Sequence, residues 1–562
     1  MKVVIVGGVA GGATAATRLR RLNEHAKITV FERSGFISYA NCGLPYYIGG
    51  VIEDKEALTL QTPKSIWDRF RIDMKIHHEV TNINVERKTV TVHSLDTGNI
   101  YEEPYDKLIL SPGAKPIFPN LPGINNDKIF TLRTVEDTLK IREYVEKNKP
   151  KTAVMVGGGF IGLEVAENLC DLGIKVTIIQ RPNQLLNILD FDMAALVHNK
   201  LRSKGIDLKL GGNVIGFEEN DSFRVVLEDD KPINTDMVLM AIGVSPESIL
   251  AKKAGLKLGI KGSIIVNDKM ETSIPDIYAV GDAVQVKHFV TGNDAVISLA
   301  GPANKQGRIA ADNICGLNSH YKGSMGSSVI KLFDMTVACT GITEKIAQDL
   351  NIKYEKVILS PLSHAGYYPD ARLMTMKVIY EKNTLKILGA QIVGYDGIDK
   401  RLDVIATAIS AGLKATELKD LDLSYAPPYS SAKDPVNMAG FMIENIENGI
   451  VKQFYYDEIY KLPKDGSVTL LDTRTQKEYG RGHIEGFINI PVDNLRDNIH
   501  NLDKSKPIYV ICQSGIRSYI ACRILTLEGF DCYNFSGGYR FYENITKEID
   551  LIKNCSPCGM DK

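Results

Sequence analysis

A strand–glycine turn–helix–strand unit occurs twice in this chain, and this repetition constrains the fold more than any other feature. The first copy begins at Lys2, runs through an apolar strand to Val6, and continues after the turn as a helical pattern and a strand that ends at Glu32. Glycines in such a turn let backbone N–H groups at a helix N-terminus approach a pyrophosphate, and the acid binds a ribose diol. The turn comprises Gly7, Gly8, Val9, Ala10, Gly11 and Gly12, with valine in place of the middle glycine of the motif.

The second copy has a complete glycine motif and a different end. The strand from Ala153 to Val156 leads into the turn, a helix follows, and the next strand ends at Gln180 and Arg181 instead of an acid. An acid at this place favours NADH because it binds the 2′-hydroxyl, whereas an arginine without the acid admits the 2′-phosphate of NADPH. The sequence therefore favours NADPH and leaves NADH open. The motif glycines are Gly157, Gly159 and Gly162.

The composition of the 562 residues excludes several function classes. With 44% hydrophobic and 24% charged residues and a formal net charge of −1, the chain lacks the basic excess expected for nucleic acid or an anionic membrane surface as partner. No apolar run reaches the roughly 18 residues of a membrane span, and the apolar N-terminus is too short for a signal peptide. Nine cysteines, mostly isolated, do not make a disulfide framework, so we expect a cytoplasmic, thiol-reducing location.

Two later segments extend the first nucleotide fold. Residues 105–113 predict a strand entering a turn, and residues 272–282 predict a strand that ends at Asp282. Both resemble the segments by which flavoprotein reductases with two dinucleotide folds return to the flavin domain. The resemblance implies FAD in residues 1–112 and 245–325, NAD(P)H in an inserted domain at 113–244, and Asp282 on the ribityl chain. It also implies FAD contacts at Arg33, Val80, Ser111, Gly113, Arg133, Gly281 and Ala300.

A single cysteine, Cys42, lies in the stretch SYANCGLPYYIGG about ten residues past the second strand. A lone cysteine is often a packing residue, but Asn41, Gly43 and Pro45 indicate an irregular loop here. Most pyridine nucleotide-disulfide reductases carry a CxxxxC pair at this place. A single redox cysteine must instead take its partner sulfur from outside, as a mixed disulfide, or become a sulfenic acid.

The stretch resembles the single-cysteine branch of that superfamily, which contains NADH oxidases, NADH peroxidases and coenzyme A disulfide reductases. The peroxidases carry a histidine in the first glycine turn, and this chain has none there. The segments HAGYYP with Tyr367 and SYAPPYS with Tyr425 resemble the tyrosine motifs of coenzyme A disulfide reductases. This resemblance implies tyrosines supplied by the partner subunit of a homodimer.

Arg18 and Arg21 follow Thr14 on one face of the first helix, where two arginines are able to bind phosphates bidentately or to remain solvated at the surface. With the resemblance, this face predicts a binding site for coenzyme A. The predicted coenzyme A residues are Thr14, Arg18, Arg21, Ser38, Asn41, Asn304, Arg308 and Lys433.

A second sulfur site is predicted near the C-terminus. The loop CQSGIRS places Cys512 at a strand end and at a helix N-terminus, where backbone N–H groups and Arg517 stabilise a thiolate or a persulfide. Together with DTR, GHIEGFINIP and a glycine pair, the loop resembles a single-domain rhodanese whose catalytic cysteine matches Cys512. The tail carries Cys555 and Cys558, which would relay sulfur, bind a metal with other ligands, or have no role; we predict no metal site.

The whole chain is thus predicted to be an α/β protein that resembles a coenzyme A disulfide reductase–rhodanese fusion. Two Rossmann-like domains, the second inserted in the first, precede an α+β dimerisation domain at 326–445, a linker at 446–463, a rhodanese domain at 464–552 and a tail at 553–562. The expected catalytic residues are Cys42, Cys512, Tyr367, Tyr425 and Arg517, with FAD, NADPH or NADH, and coenzyme A. Two alternatives stay open: an NADH oxidase with an appended rhodanese, and a flavin-based redox sensor.

Overall fold

The computed structural model describes residues 1–555, the last three by their backbone alone, so the predicted Cys555–Cys558 motif lies outside the described side chains. The chain forms two compact units. The first contains residues 1–182 and 205–326, and the second contains residues 183–204 and the chain from Ser327 onwards. Among the described residues, no helix combines the length and the apolarity that crossing a membrane requires.

Two five-stranded parallel sheets form the centre of the first unit, one for each glycine turn. Their inner strands are short apolar runs that are largely buried on both faces, as expected for parallel sheets with helices on either side. The first sheet has the order Ile277–Ala279, Lys107–Leu110, Lys2–Val6, Lys27–Phe31, Asp73–Lys75. The second has the order Asp207–Leu210, Lys175–Gln180, Thr152–Val156, Met237–Met240, Ile129–Thr131.

Smaller antiparallel sheets extend each nucleotide fold. One consists of His78–Asn84, Thr89–Ser94 and Ile100–Pro104, and the other of Val214–Glu219, Phe223–Leu227 and Ile233–Asn234. The helices of this unit are Ala10–Leu22, Leu44–Ile48, Pro63–Phe70, Val135–Asn148, Phe160–Asp171, Ile249–Lys253 and Ala300–Ile314.

The second unit contains an antiparallel sheet and a parallel sheet. The antiparallel sheet has the order Ser328–Leu332, Met335–Gly341, Ile387–Gly394, Thr375–Glu381, Tyr354–Leu359. The parallel sheet has the order Lys452–Phe454, Cys532–Phe535, Ile508–Ile511, Thr469–Asp472, Ile488–Asn489. Its helices are Phe191–Ser203, Glu344–Asp349, Ile398–Ala411, Pro435–Glu447, Tyr456–Ile459, Gln476–Arg481, Leu495–Asn498, Ile516–Leu527 and Gly538–Cys555.

Two segments belong to other parts of the structure than the predicted domain boundaries assign them to. Within the predicted linker 446–463, Lys452–Phe454 is the edge strand of the parallel sheet and pairs with Cys532–Phe535. Residues 183–204, which the sequence places in the inserted nucleotide domain, cluster with the second unit. A buried ion cluster explains the second case, because the Lys377 ammonium contacts the carboxylates of Asp190, Asp192 and Glu344.

Candidate active site

The first glycine turn has a geometry that only glycine permits at its ends. Gly7 has a φ of +98°, and a Cβ built on it would lie 2.1 Å from the carbonyl oxygen of Ser111. A Cβ on Gly12 would lie 1.9 Å from the Gly7 carbonyl oxygen. The Gly8 N–H donates to the Glu32 carboxylate at 2.9 Å, which joins the predicted acid to the turn.

A cavity of about 370 Å³ opens beside this turn. Tyr39, His78, Glu79, Thr81 and Lys253 also line it and were missed, because all five lie outside the two glycine-turn units. Asn41, predicted for coenzyme A, lies here too, and its buried Oδ1 has no hydrogen-bond partner among the described residues. The predicted FAD residues that line the cavity are Gly7, Val9, Glu32, Arg33, Val80, Ser111, Gly113 and Arg133.

Three other predicted FAD residues, Asp282, Gly281 and Ala300, are not among the residues that line the cavity. Asp282 pairs with Arg133 at 2.9 Å, which ties the returning strand to a residue of the cavity wall. Gly281 has a φ of +83°, and its N–H donates to Gln306 at 2.7 Å. Ala300 begins the helix Ala300–Ile314. The glycine cradle, the acid at the strand end and the orphaned Asn41 oxygen fit a bound dinucleotide.

The second glycine turn repeats the first with one change of charge. Gly157 has a φ of +112°, and a Cβ on Gly162 would lie 2.2 Å from the carbonyl oxygen of Gly157. Gly159 caps the helix Phe160–Asp171. The Gly158 N–H donates to Gln180 Oε1 at 2.9 Å, just as the Gly8 N–H donates to Glu32. A neutral amide therefore stands where the first turn has a carboxylate, and Arg181 beside it is exposed.

Cys42 lies in the one-turn 3₁₀ helix Asn41–Gly43 and is exposed. The segment is tied to the first glycine turn, because the Ser38 N–H donates to the Gly8 carbonyl at 2.9 Å. Desolvation by the surrounding atoms raises the pKa of Cys42, and the carboxylates of Glu164 and Asp282 raise it further. The protein alone thus disfavours the Cys42 thiolate.

Sequence reasoning missed Glu164 and Tyr46, which lie near Cys42. Burial raises the pKa of Glu164 to about 7, with Glu167 adding to the effect, and Tyr46 donates a hydrogen bond to it. Burial and Glu164 in turn raise the pKa of Tyr46 to about 12. The available signal was an acid in an otherwise apolar stretch, Phe160 to Ala166, directly after a glycine turn.

Several predicted coenzyme A residues meet on two packed helices. Thr14 Oγ1 donates to Asn304 at 2.9 Å, and Arg18 Nε pairs with Asp312 at 2.6 Å. Arg21 and Arg308 are exposed. The helices Ala10–Leu22 and Ala300–Ile314 therefore bring together residues that lie about 290 positions apart in the chain. Lys433 belongs to the second unit and is exposed there.

The two predicted tyrosines also meet, within the second unit. The hydroxyl groups of Tyr367 and Tyr425 are 2.7 Å apart, and the side chains are 76% and 45% exposed. Such exposure leaves both hydroxyls available to a molecule at this surface.

A buried arginine that the sequence did not reveal connects the two tyrosine segments. Arg401 donates to the Ser363 carbonyl at 2.9 Å and to Ser430 Oγ at 3.1 Å. Asp434 completes the network by pairing with Arg401 and by accepting the Ser430 hydroxyl at 2.6 Å. Ser363 directly precedes the first tyrosine motif and Ser430 ends the second, so Arg401 ties the two tyrosine segments together.

Cys512 is buried at the end of the strand Ile508–Ile511, and its surroundings differ from those of Cys42. Its Sγ accepts hydrogen bonds from the Gly515 N–H at 3.1 Å and from the Ser518 hydroxyl at 3.2 Å. Gly515 has a φ of +97° and precedes the helix Ile516–Leu527. This cradle is arranged to hold a negatively charged sulfur.

Two further contacts hold the loop. Arg517 binds the Glu478 carboxylate through two nitrogens at 2.7 and 2.8 Å, and this hydrogen bonding lowers the pKa of Glu478 to about 2. The Tyr539 N–H donates to the Cys512 carbonyl at 2.7 Å. A Cβ on Gly538 would lie 2.6 Å from the Ser514 nitrogen, which explains the second glycine of the pair. Glu478 orients the predicted Arg517 and was not assigned a role from the sequence.

Family models match three consecutive parts of the chain. Residues 1–307 match pyridine nucleotide-disulphide oxidoreductase, residues 327–435 match the dimerisation domain of the same family, and residues 456–544 match the rhodanese-like domain. A curated relative, coenzyme A disulfide reductase of Staphylococcus aureus strain JH9, is 38% identical over 441 residues, which are 78% of this chain and 99% of the relative.

Two solved structures match nearly the whole chain. Reduced CoADR-RHD of Bacillus anthracis is 50% identical with a TM-score of 0.95, and the match covers 97% of this chain and 98% of the other. An NAD-dependent persulfide reductase from A. fulgidus is 36% identical with a TM-score of 0.90, covering 96% and 100%. The predicted resemblance, the predicted fold class and the predicted oxidoreductase with a rhodanese domain are confirmed.

Proposed function

This chain belongs to the pyridine nucleotide-disulphide oxidoreductase family and acts as a disulfide or persulfide reductase with a rhodanese domain; from that premise we propose that Cys42 is its single redox sulfur. The substrates are coenzyme A disulfide, coenzyme A persulfide or polysulfide. The observation that carries this proposal is an exposed cysteine beside a dinucleotide cavity, with no second cysteine in its loop. Its partner sulfur therefore comes from the substrate.

The chemistry at Cys42 is a thiol–disulfide exchange. The Cys42 thiolate attacks one sulfur of RS–SR, forms a Cys42–S–S–R bond and releases RS⁻. When bound, FAD would supply two electrons that originate from NAD(P)H. With these two electrons the Cys42–S–S–R bond breaks, Cys42 returns to its thiolate, and the second thiolate leaves and takes up a proton. With a persulfide RS–SH the same two electrons and two protons give RSH and H₂S.

The hydroxyl pair of Tyr367 and Tyr425 is the proposed proton donor to the leaving thiolate. Its support is the 2.7 Å contact between two exposed hydroxyls, which lets one tyrosine stabilise the other as it donates. We assign the pair to the partner subunit's Cys42 site, with the matched dimerisation domain as support for a homodimer.

Coenzyme A binding is assigned to the paired helices around Thr14 and Asn304. The Arg18–Asp312 ion pair fixes Arg18 on this face, while exposed Arg21 and Arg308 supply positive charge for phosphates. Ser38, Asn41 and Lys433 complete the proposed set. The nucleotide reductant binds at the second glycine turn, where neutral Gln180 and exposed Arg181 favour NADPH and leave NADH usable.

Cys512 is the proposed carrier of sulfane sulfur, as a persulfide that exchanges with coenzyme A or with Cys42. The Gly515 N–H and the Ser518 hydroxyl that contact Sγ would stabilise the charged terminal sulfur, with Arg517 adding positive charge.

Mass spectrometry of the intact, unreduced protein as purified, followed by mapping of Cys42, tests the proposal. We expect a dithiothreitol-releasable adduct with the mass of coenzyme A on Cys42. A Cys42 that carries only oxygen would instead support the NADH oxidase alternative, in which the sulfenic acid replaces the mixed disulfide. Oxygen consumption that matches NADH loss without any thiol substrate would also support the NADH oxidase alternative.

A further inference from the structure

A groove in the second unit is lined by cations without an acid among its described residues. It lies among the helix Phe191–Ser203, the antiparallel sheet and the helix Gly538–Cys555, and its volume is about 270 Å³. Two of the side chains that line it, Lys200 and Arg540, are cations, and none of the described residues that line it is acidic. We name it the Arg540 groove.

The Arg540 guanidinium has a hydrogen-bond donor without a partner among the described residues. Its Nη2 donates to Thr375 Oγ1 at 3.1 Å, while its buried Nε has no hydrogen-bond partner. Among the described residues, no carboxylate forms an ion pair with it. A guanidinium withdrawn from water without a counter-ion is costly, and buried charges are normally paired. Burial accordingly lowers the pKa of Arg540.

The surroundings add positive charge to the groove. Lys200 lies 5.3 Å from the centre of the Tyr395 ring and Arg372 stacks on the same ring at 3.2 Å. Both of these cations pair with one acid, Asp334. Three cations and a single carboxylate thus leave an excess of two positive charges around Tyr395 and Arg540.

We propose that the Arg540 groove binds a small tetrahedral oxyanion, either a free inorganic ion or the terminal phosphate of a phosphomonoester. A planar guanidinium binds such an anion through two parallel N–H groups, and Lys200 adds a second charge. The hydroxyl of Thr375 holds the guanidinium in place. This proposal is independent of the proposed redox function.

The backbone of Arg540 contacts the loop that contains Cys512. The Arg540 N–H donates to the carbonyl of Gln513, the residue after Cys512, at 3.2 Å.

Thermal unfolding of the FAD-loaded enzyme tests the proposal, with sodium phosphate compared with sodium chloride at matched ionic strength so that screening cancels. The cofactor turns bind phosphate too, so the informative quantity is the difference between Arg540→Gln and the control Arg496→Gln. Arg496 is an exposed arginine of the same domain, and its variant carries the same charge change.

We expect a saturable rise in the unfolding temperature for the wild type and for Arg496→Gln, with an apparent affinity about tenfold or more weaker in Arg540→Gln. The same phosphate dependence in both variants would overturn the proposal. Thr375→Val, which removes the hydroxyl that orients the guanidinium, provides a second test should Arg540→Gln fold poorly. It should also weaken phosphate binding, and an unchanged affinity would count against the groove.

The two sources of the oxyanion are separated by a parallel titration with glycerol 3-phosphate. Comparable binding of both compounds in an Arg540-dependent manner identifies a site for terminal phosphates. Arg540-dependent binding of inorganic phosphate alone identifies a site for the free ion.

Discussion

Cys42 and Cys512 are two sulfurs in opposite electrostatic settings. Cys42 is exposed, accepts no hydrogen bond from any residue in the described part of the chain, and has a pKa raised by desolvation and by Glu164 and Asp282. Cys512 is buried, yet a backbone N–H and a hydroxyl donate to its sulfur. The Cys512 sulfur is thus held by preformed donors, whereas the protein alone disfavours the Cys42 thiolate; under the proposed function, that thiolate would need bound cofactor or substrate for stabilisation.

The largest expected effect separates the two sulfurs directly. Cys42→Ser should lower NAD(P)H-dependent reduction of coenzyme A disulfide by about 10³-fold or more, because serine cannot form the mixed disulfide. Electron transfer to an artificial dye should persist, since that route needs the flavin alone. Cys315→Ser, another cysteine of the first unit, is the matched control. Coenzyme A disulfide turnover that survives in Cys42→Ser would remove this residue from the mechanism.

The reciprocal substitution sharpens the comparison. Cys512→Ser should lower turnover on polysulfide and abolish sulfur transfer, while the rate on coenzyme A disulfide stays at the wild-type level. The physical reason is that only a persulfide route needs a second sulfur carrier. Steady-state rates on the two substrates, measured with one preparation, provide the internal control. Equal losses on both substrates would show that the two sulfurs do not divide the work.

The tyrosine pair gives the next largest effect. Tyr367→Phe with Tyr425→Phe should lower kcat on coenzyme A disulfide by about a hundredfold, the usual contribution of a general acid. Each single variant should lose less kcat, because the remaining hydroxyl lies only 2.7 Å from the position of the removed one. Tyr429→Phe is the matched control, since it removes an exposed hydroxyl from the same segment. Equal kcat in the double variant and the control would exclude proton donation by the pair.

The same comparison shows what a sequence reveals about a site. The glycine turns and the Cys512 loop were predictable because their contacts are local: Gly515 and Ser518 lie within six residues of the sulfur that they contact. Arg401 was not predictable, since it joins Ser363 and Asp434 across more than thirty residues in each direction.

Helix faces set a similar limit. The spacing of Thr14, Arg18 and Arg21 predicts a shared face, but it does not reveal that Arg18 pairs with Asp312 on a distant helix. Nor does it reveal that the buried arginine of this helix is Arg20, which donates to the backbone carbonyls of Phe70 and Arg71. Which charges remain free to bind a ligand depends on partners far away in the chain.

The smallest expected effect concerns why the Cys42 thiolate is disfavoured. Glu164 has a pKa raised to about 7, so it is mostly neutral below pH 6 and mostly ionised above pH 8. Its carboxylate raises the pKa of Cys42 only when ionised. In Glu164→Gln the Cys42 thiolate fraction at pH 8 should therefore be larger, and alkylation by iodoacetamide should be severalfold faster than in the wild type.

Below pH 6 the alkylation rates of Glu164→Gln and the wild type should converge, because Glu164 is then protonated. Glu146→Gln, an exposed acid of a neighbouring helix, should follow the wild type throughout. Superimposable pH profiles for Glu164→Gln and the wild type would remove Glu164 as a cause of the raised Cys42 pKa and leave desolvation and Asp282.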